Sequence, residues 1–156
     1  MDNSTLKNIF KFLEDKEGYN APFIWKWKNN EPLTEEDLNV KGDLDLSENE
    51  EIESLPEGLK IEGNLLLYDS SVELPKGLEV GGNLHMTHSI YDLPKGLKVG
   101  GDLYLSGIGH RFEDIEDRVK KIIYPGFIKG MILADDYDPY DDYNAFDNDD
   151  WFKLKI

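Results

Sequence analysis

The chain has 156 residues, no cysteine, and 33 acidic against 17 basic side chains, which leaves a net charge of −16 at neutral pH. This length suits one domain with a hydrophobic core, and the lack of cysteine excludes disulfides, thiolate metal sites and thiol nucleophiles. The negative charge opposes direct binding to nucleic acid or to an anionic membrane. Since neither a secretory signal pattern nor an apolar run of about 18 residues occurs, we expect a cytoplasmic protein.

Residues 1–32 predict an N-terminal cap made of a helix and a strand. Ser4 is a suitable N-cap, Gly18 is suited to end the helix, and the apolar residues between them share one face: Leu6, Ile9, Phe10 and Leu13. The alternating run 23–28 predicts a strand with three aromatic residues on one side: Phe23, Trp25 and Trp27. These rings form either a binding surface or a lid over the next segment, and the lid is favoured because large aromatic side chains are most often buried.

An internal repeat occupies residues 33–111. Copies that begin with Leu-Pro-x-Gly start at Leu55, Leu74 and Leu93, 19 residues apart, and a degenerate copy from Leu38 carries two extra residues. Within each copy apolar residues alternate around a central glycine, which predicts two short strands that meet at a corner. Because no copy can bury its own inner face, we predict a mainly β, solenoid fold of about four stacked coils with a helix at each flank.

The Leu-Pro start of each copy and its regular leucine spacing resemble the short bacterial type of leucine-rich repeat. The resemblance covers Leu38 to about Ile108, without the asparagine of the LxxLxLxxN ladder. It implies a protein-binding solenoid rather than an enzyme.

The repeat register also aligns three columns of outward-facing residues. The first column, which is either a binding face or a set of hydrogen-bond acceptors for turn backbone, is Asp43, Asn64, Asn83 and Asp102. The second is Asp45, Leu66, His85 and Tyr104, and the third is Ser47, Tyr68, Thr87 and Ser106. Their mixed chemistry suits a protein contact. We expect exposed, unpaired histidines at His85-x-x-His88, because no third metal ligand is evident.

Residues 112–134 predict a C-terminal cap of a helix followed by a strand. One helix face is apolar, and it consists of Phe112, Ile115, Val119, Ile122 and Ile123. Acidic residues precede basic ones along this helix, which suits the helix dipole, and Tyr124-Pro125-Gly126 ends it. Residues 127–133 predict a last strand or buried segment that covers the final coil.

The negative charge is concentrated in two stretches. Residues 35–53 hold nine acids and Lys41, a net −8, and residues 135–150 hold eight aspartates and no base, also −8. The aspartates of the segment 135–156 alternate with aromatic rings, so it is a solvated terminus docked by its rings, a divalent-metal site, or a row of carboxylates that imitates nucleic-acid phosphates. The metal alternative rests on Asp136 and Asp138, or on Asp147, Asn148, Asp149 and Asp150, although no EF-hand loop is present.

The sequence therefore predicts a single domain, residues 1–156, with no catalytic residue, cofactor or metal requirement, since it has no nucleophile elbow or phosphate loop. The first hypothesis is a stoichiometric inhibitor that covers the basic, nucleic-acid-binding surface of a partner protein. In acidity and size it resembles the small inhibitors with which phages and mobile elements disable host restriction or CRISPR nucleases. The candidate contact residues are Glu48, Glu50, Glu51, Glu53, Asp135, Asp136, Asp138, Tyr140, Asp141, Asp142, Tyr143, Asp147, Asp149 and Asp150. The alternative is an adaptor or scaffold that binds through Leu66, Tyr68, His85 and Tyr104.

Overall fold

The structure is a computed structural model that describes residues 3–17, 21–87, 92–106, 115–134 and 152–154. Within these ranges the helices are α1 (Asn3–Glu17), α2 (Ala21–Lys28) and α3 (Ile115–Ile123). The strands of sheet A are β1 (Asn39–Val40), β3 (Lys60–Ile61), β5 (Glu79–Val80), β7 (Lys98–Val99) and β9 (Phe127–Ile128). Those of sheet B are β2 (Leu44–Asp45), β4 (Leu65–Leu67), β6 (Leu84–Met86), β8 (Leu103–Leu105), β10 (Ile132–Ala134) and β11 (Phe152–Leu154).

The two sheets form adjoining walls of a short β-solenoid. Strands β1, β3, β5, β7 and β9 pair in parallel in this order, as do β2, β4, β6, β8 and β10, while β11 pairs with β10 in antiparallel orientation. Three complete turns lead from Val40 through Ile61 and Val80 to Val99. The prediction of a mainly β solenoid with flanking helices is confirmed.

The interior is filled by ladders of aliphatic side chains, as the period-two pattern predicts. Leu65, Leu84 and Leu103 lie in one register in sheet B, and each is fully buried. Val80 and Val99 continue the corresponding ladder of sheet A. At about 25 cal/mol per Å² of buried apolar surface, a fully buried leucine contributes roughly 2 kcal/mol. The stacked turns therefore supply the core that no single repeat could form.

The corners between the sheets depend on a glycine followed by asparagine or aspartate. Asn64 Oδ1 accepts a hydrogen bond from the backbone N–H of Asn83 at 2.7 Å, and Asn83 Oδ1 accepts one from Asp102 at 2.8 Å. A side chain at the preceding glycine would collide with this acceptor of the previous turn, as at Gly82 and Gly101. The first outward column is thus a ladder that satisfies corner backbone, which is one of the two roles predicted for it.

The last part of the solenoid departs from the repeat. Helix α3 lies between β8 and β9 in the chain, and it buries Ile115, Val119 and Ile123 in the core. Strands β9 and β10 then extend both sheets by one more rung, so residues 127–133 form the predicted last strand in two pieces.

The predicted strand at residues 23–28 is wrong, because this segment is helix α2. A run of six residues with alternating aromatics fits either element. Here the burial of Phe23 and the partial burial of Trp27, four residues apart, favour the helix. Trp27 Nε1 also donates to the Ser54 carbonyl at 2.7 Å. The lid is confirmed for these two rings, whereas Trp25 points the other way and packs edge-on against Phe10 of α1, with 5.7 Å between ring centroids.

Candidate protein-binding face

The outer face of sheet B carries a column of three interacting rings. His85 stacks on Tyr104 with 4.2 Å between the ring centroids and 3° between their planes. The Tyr68 ring lies 5.5 Å from His85, tilted by 50°, and its hydroxyl is 2.7 Å from His85 Nδ1. Parallel strands place residues of successive turns side by side, which is what makes this stack possible. We call Tyr68, His85 and Tyr104 the ring column.

The expectation of an exposed, unpaired histidine is wrong at His85. The 19-residue register aligned His85 with Tyr104, but the ring planes and the Tyr68 hydrogen bond depend on side-chain rotamers, which sequence does not provide. His88 and His110 lie outside the described residues.

The environment of His85 and Tyr104 favours the uncharged form of both rings. Partial burial lowers the pKa of His85 below its ordinary value, and the negative charge of Asp102 opposes this only in part. Burial raises the pKa of Tyr104, and the nearby charge and hydrogen bond of Asp102 add to this effect. The Tyr104 hydroxyl lies 3.4 Å from Asp102 Oδ2. The sequence placed Asp102 in the first outward column but did not indicate its contact with the Tyr104 hydroxyl.

The two sheets differ sharply in outward charge. The outward residues of sheet A and its adjoining positions include the cations Lys41, Lys60, Lys98 and Lys129. Glu79 is 3.5 Å from Lys60 and 3.2 Å from Lys98, and Lys41 pairs with Glu62. The outward columns of the five parallel strands of sheet B contain no lysine or arginine. Rings and carboxylates therefore meet on sheet B without a neutralising cation among these positions.

The first acidic stretch lies beside this face. Glu48, Glu50, Glu51 and Glu53 are all exposed on the loop that follows β2. Glu51 pairs with Lys28 of α2, and this contact lowers the pKa of the Glu51 carboxyl. The backbone N–H of Glu48 donates to the Tyr68 carbonyl at 2.7 Å. Glu48 therefore lies in the turn before Tyr68, next to the ring column. The structure thus brings two predicted sets, the acidic loop and the ring column, to one region.

Asp37 has a structural role, although it belongs to the same acidic stretch. Its carboxylate accepts a hydrogen bond from Lys26 at 2.8 Å and one from the Thr34 backbone at 2.8 Å. Partial burial would raise the pKa of Asp37, but the hydrogen bonds from Lys26 and Thr34 outweigh it and lower the pKa. Asp37 therefore holds α2 against the start of the solenoid.

The second acidic stretch, residues 135–150, lies outside the described residues. This applies to Asp135, Asp136, Asp138, Tyr140, Asp141, Asp142, Tyr143, Asp147, Asp149 and Asp150. Only the strands on either side of this stretch, β10 and β11, are described. In the ranges that the structure describes, no three histidine, aspartate or glutamate side chains are grouped to hold a metal ion. The helices of those ranges are also too short or too polar to span a membrane.

Comparison of the chain with protein-family models, with curated proteins and with solved structures finds no match. The chain forms a short β-solenoid of about three turns with parallel sheets.

Proposed function

We propose that this protein is a non-catalytic binding module that attaches to a basic surface of a partner protein. The observation that carries the proposal is the exposed set Glu48, Glu50 and Glu53 beside the outward columns of the five parallel strands of sheet B, which hold no lysine or arginine. Complementary charge accelerates association and selects partners of the opposite sign. A partner that binds nucleic acid through that basic surface would be inhibited stoichiometrically, because both ligands need the same cations.

The finer form of this proposal is an inhibitor of a host nuclease or defence protein, of the kind that phages and mobile elements produce. Support comes from the net charge of −16, the lack of cysteine, and the concentration of charge in two stretches. The leucine-rich-repeat resemblance also favours protein binding over catalysis. On this proposal the aspartates of residues 135–150 add to the same acidic surface.

A second candidate is an adaptor that binds mainly through Leu66, Tyr68, His85 and Tyr104. The ring column favours it, since aromatic side chains are enriched at the centres of protein interfaces. Such a contact buries apolar area and depends little on salt, whereas charge-steered binding weakens strongly as ionic strength rises.

The experiment compares the wild type with E48Q/E50Q/E53Q and with the matched control E31Q/E57Q/E73Q. Both triple variants remove three exposed carboxylates and change the net charge equally. A partner captured from a lysate is purified, and its binding to labelled duplex DNA is measured by anisotropy with increasing amounts of each variant. We expect salt-sensitive, one-to-one competition that is weakened more by E48Q/E50Q/E53Q than by the control. Salt-insensitive capture by all three proteins would instead favour the adaptor.

A further inference from the structure

We infer that Tyr68 and Glu48 together form a recognition site for an arginine side chain of the partner. This inference rests on the proposed function, because it names which cation of a basic partner surface the module binds. It also gives the ring column a role, in which His85 and Tyr104 are positioning residues for Tyr68.

The exposed ring is Tyr68, not the other two. His85 and Tyr104 face each other in a parallel stack, so one face of each ring is covered by the other. Tyr68 is tilted by 50° from His85 and retains 38% of its surface exposed. Its hydroxyl is held 2.7 Å from His85 Nδ1. A partly exposed ring whose orientation is fixed loses little rotamer freedom when a ligand packs on it.

Two acidic residues of the preceding turn lie close to Tyr68 along the strand register. Glu48 is hydrogen-bonded through its backbone N–H to the Tyr68 carbonyl, and Glu48 itself has a positive φ of 54°. Asp45 occupies the outward column of the preceding turn, opposite Leu66. Among the described residues, no lysine or arginine forms an ion pair with Glu48. The carboxylate is therefore available to a cation supplied from outside.

Arginine fits this arrangement better than lysine does. A planar guanidinium stacks on a tyrosine ring and simultaneously donates two parallel hydrogen bonds to a carboxylate. A lysine ammonium is a compact, strongly hydrated charge that gains from the carboxylate but lacks the planar stacking surface. Partial burial lowers the pKa of His85, which disfavours a competing positive charge in the column.

The experiment measures binding of two synthetic peptides to the full-length protein by calorimetry. One peptide alternates arginine with serine over twelve residues, and the other replaces each arginine with lysine. A stacking contribution of about 0.5–1 kcal/mol predicts that the arginine peptide binds about two- to fivefold more tightly. We expect Y68L to abolish this preference, Y68F to retain it, and E48Q to weaken binding of both peptides. The control F127L alters an exposed ring on sheet A and should change nothing.

The outcomes separate this inference from the proposed function. Equal affinity for the two peptides, or a preference that survives in Y68L, would refute the arginine site, while salt-dependent binding of both peptides would still support the acidic module. No binding of either peptide would overturn both proposals. Thermal unfolding of Y68L and Y68F shows whether each variant is folded. If Y68L is not folded, Y68T, which also removes the ring, decides the case: a preference that survives in folded Y68T refutes the arginine site.

Discussion

The hydrogen bonds that link the corners of successive turns predict how substitutions at Gly101 and Asn83 change stability. Asn83 Oδ1 accepts from the Asp102 N–H at 2.8 Å, so N83A leaves a part-buried donor without its acceptor and should cost about 1–2 kcal/mol. A Cβ at Gly101 would overlap Asn83 Oδ1 and lie 2.9 Å from the Gly82 carbonyl oxygen. G101A therefore displaces the Asn83 side chain and also crowds backbone, and we expect a cost of about 2–4 kcal/mol.

The double variant distinguishes this account from a general intolerance of substitution. If G101A acts partly by breaking the Asn83 hydrogen bond, G101A/N83A should be less destabilised than the sum of the single variants, by about 1–2 kcal/mol. Gly77 is the control: its φ of +71° strains alanine, but nothing lies within 4 Å of an added Cβ. G77A and N83A should be additive. Urea denaturation monitored by circular dichroism gives the free energies of unfolding of the wild type, the three single variants and the two double variants. Full additivity of G101A and N83A would refute the close-approach argument.

Three further predictions concern the core, the cap and the ring column. L84A removes a fully buried ladder residue and should lower the free energy of unfolding by about 3–5 kcal/mol in urea, whereas a loss below about 1 kcal/mol would contradict the packing. The pKa of Asp37 is lowered in the folded protein, so its carboxylate stabilises the fold above the ordinary carboxyl pKa range, and this contribution is lost as the pH falls through the folded-state pKa. D37N should therefore flatten the acidic part of a profile of melting temperature against pH. The pKa of His85 is also lowered, so the native state should lose stability as pH falls below about 6.5, and an unchanged acid slope in H85Q would refute this.

The solenoid was predictable from sequence because the same physical requirement recurs at each turn. Leu65, Leu84 and Leu103 fill equivalent interior positions in successive turns, so a sequence period of 19 residues indicates stacked turns. The corner glycines were recognisable by their position, and the structure adds their reason, which is the asparagine of the previous turn. A contact between turns leaves a sequence signal only when it repeats.

The elements outside the repeat were harder to predict, since no second copy constrains their interpretation. Helix α2 is too short for its period to separate helix from strand, and its burial against the first turn decides between them. The repeat pattern of the final rung is hard to recognise in the sequence because α3 interrupts the 19-residue period. In addition, Gly126 occupies the position that Leu97 occupies one turn earlier. Its N–H nevertheless donates to the Ile123 carbonyl at the end of α3.

The candidate site follows from the positions at which the repeats differ. Residues that point inward or form the corners must match the next turn, so leucine, glycine and asparagine recur there. The central outward position of sheet B changes from Leu66 to His85 to Tyr104 while strand pairing is maintained, because its side chain leaves the sheet instead of entering the core. Substitution at this column should therefore alter binding far more than stability, and the reverse should hold for the leucine that precedes each of these residues. The comparison of Y104L with L103A, in peptide binding and in urea denaturation, separates the two roles within a single strand.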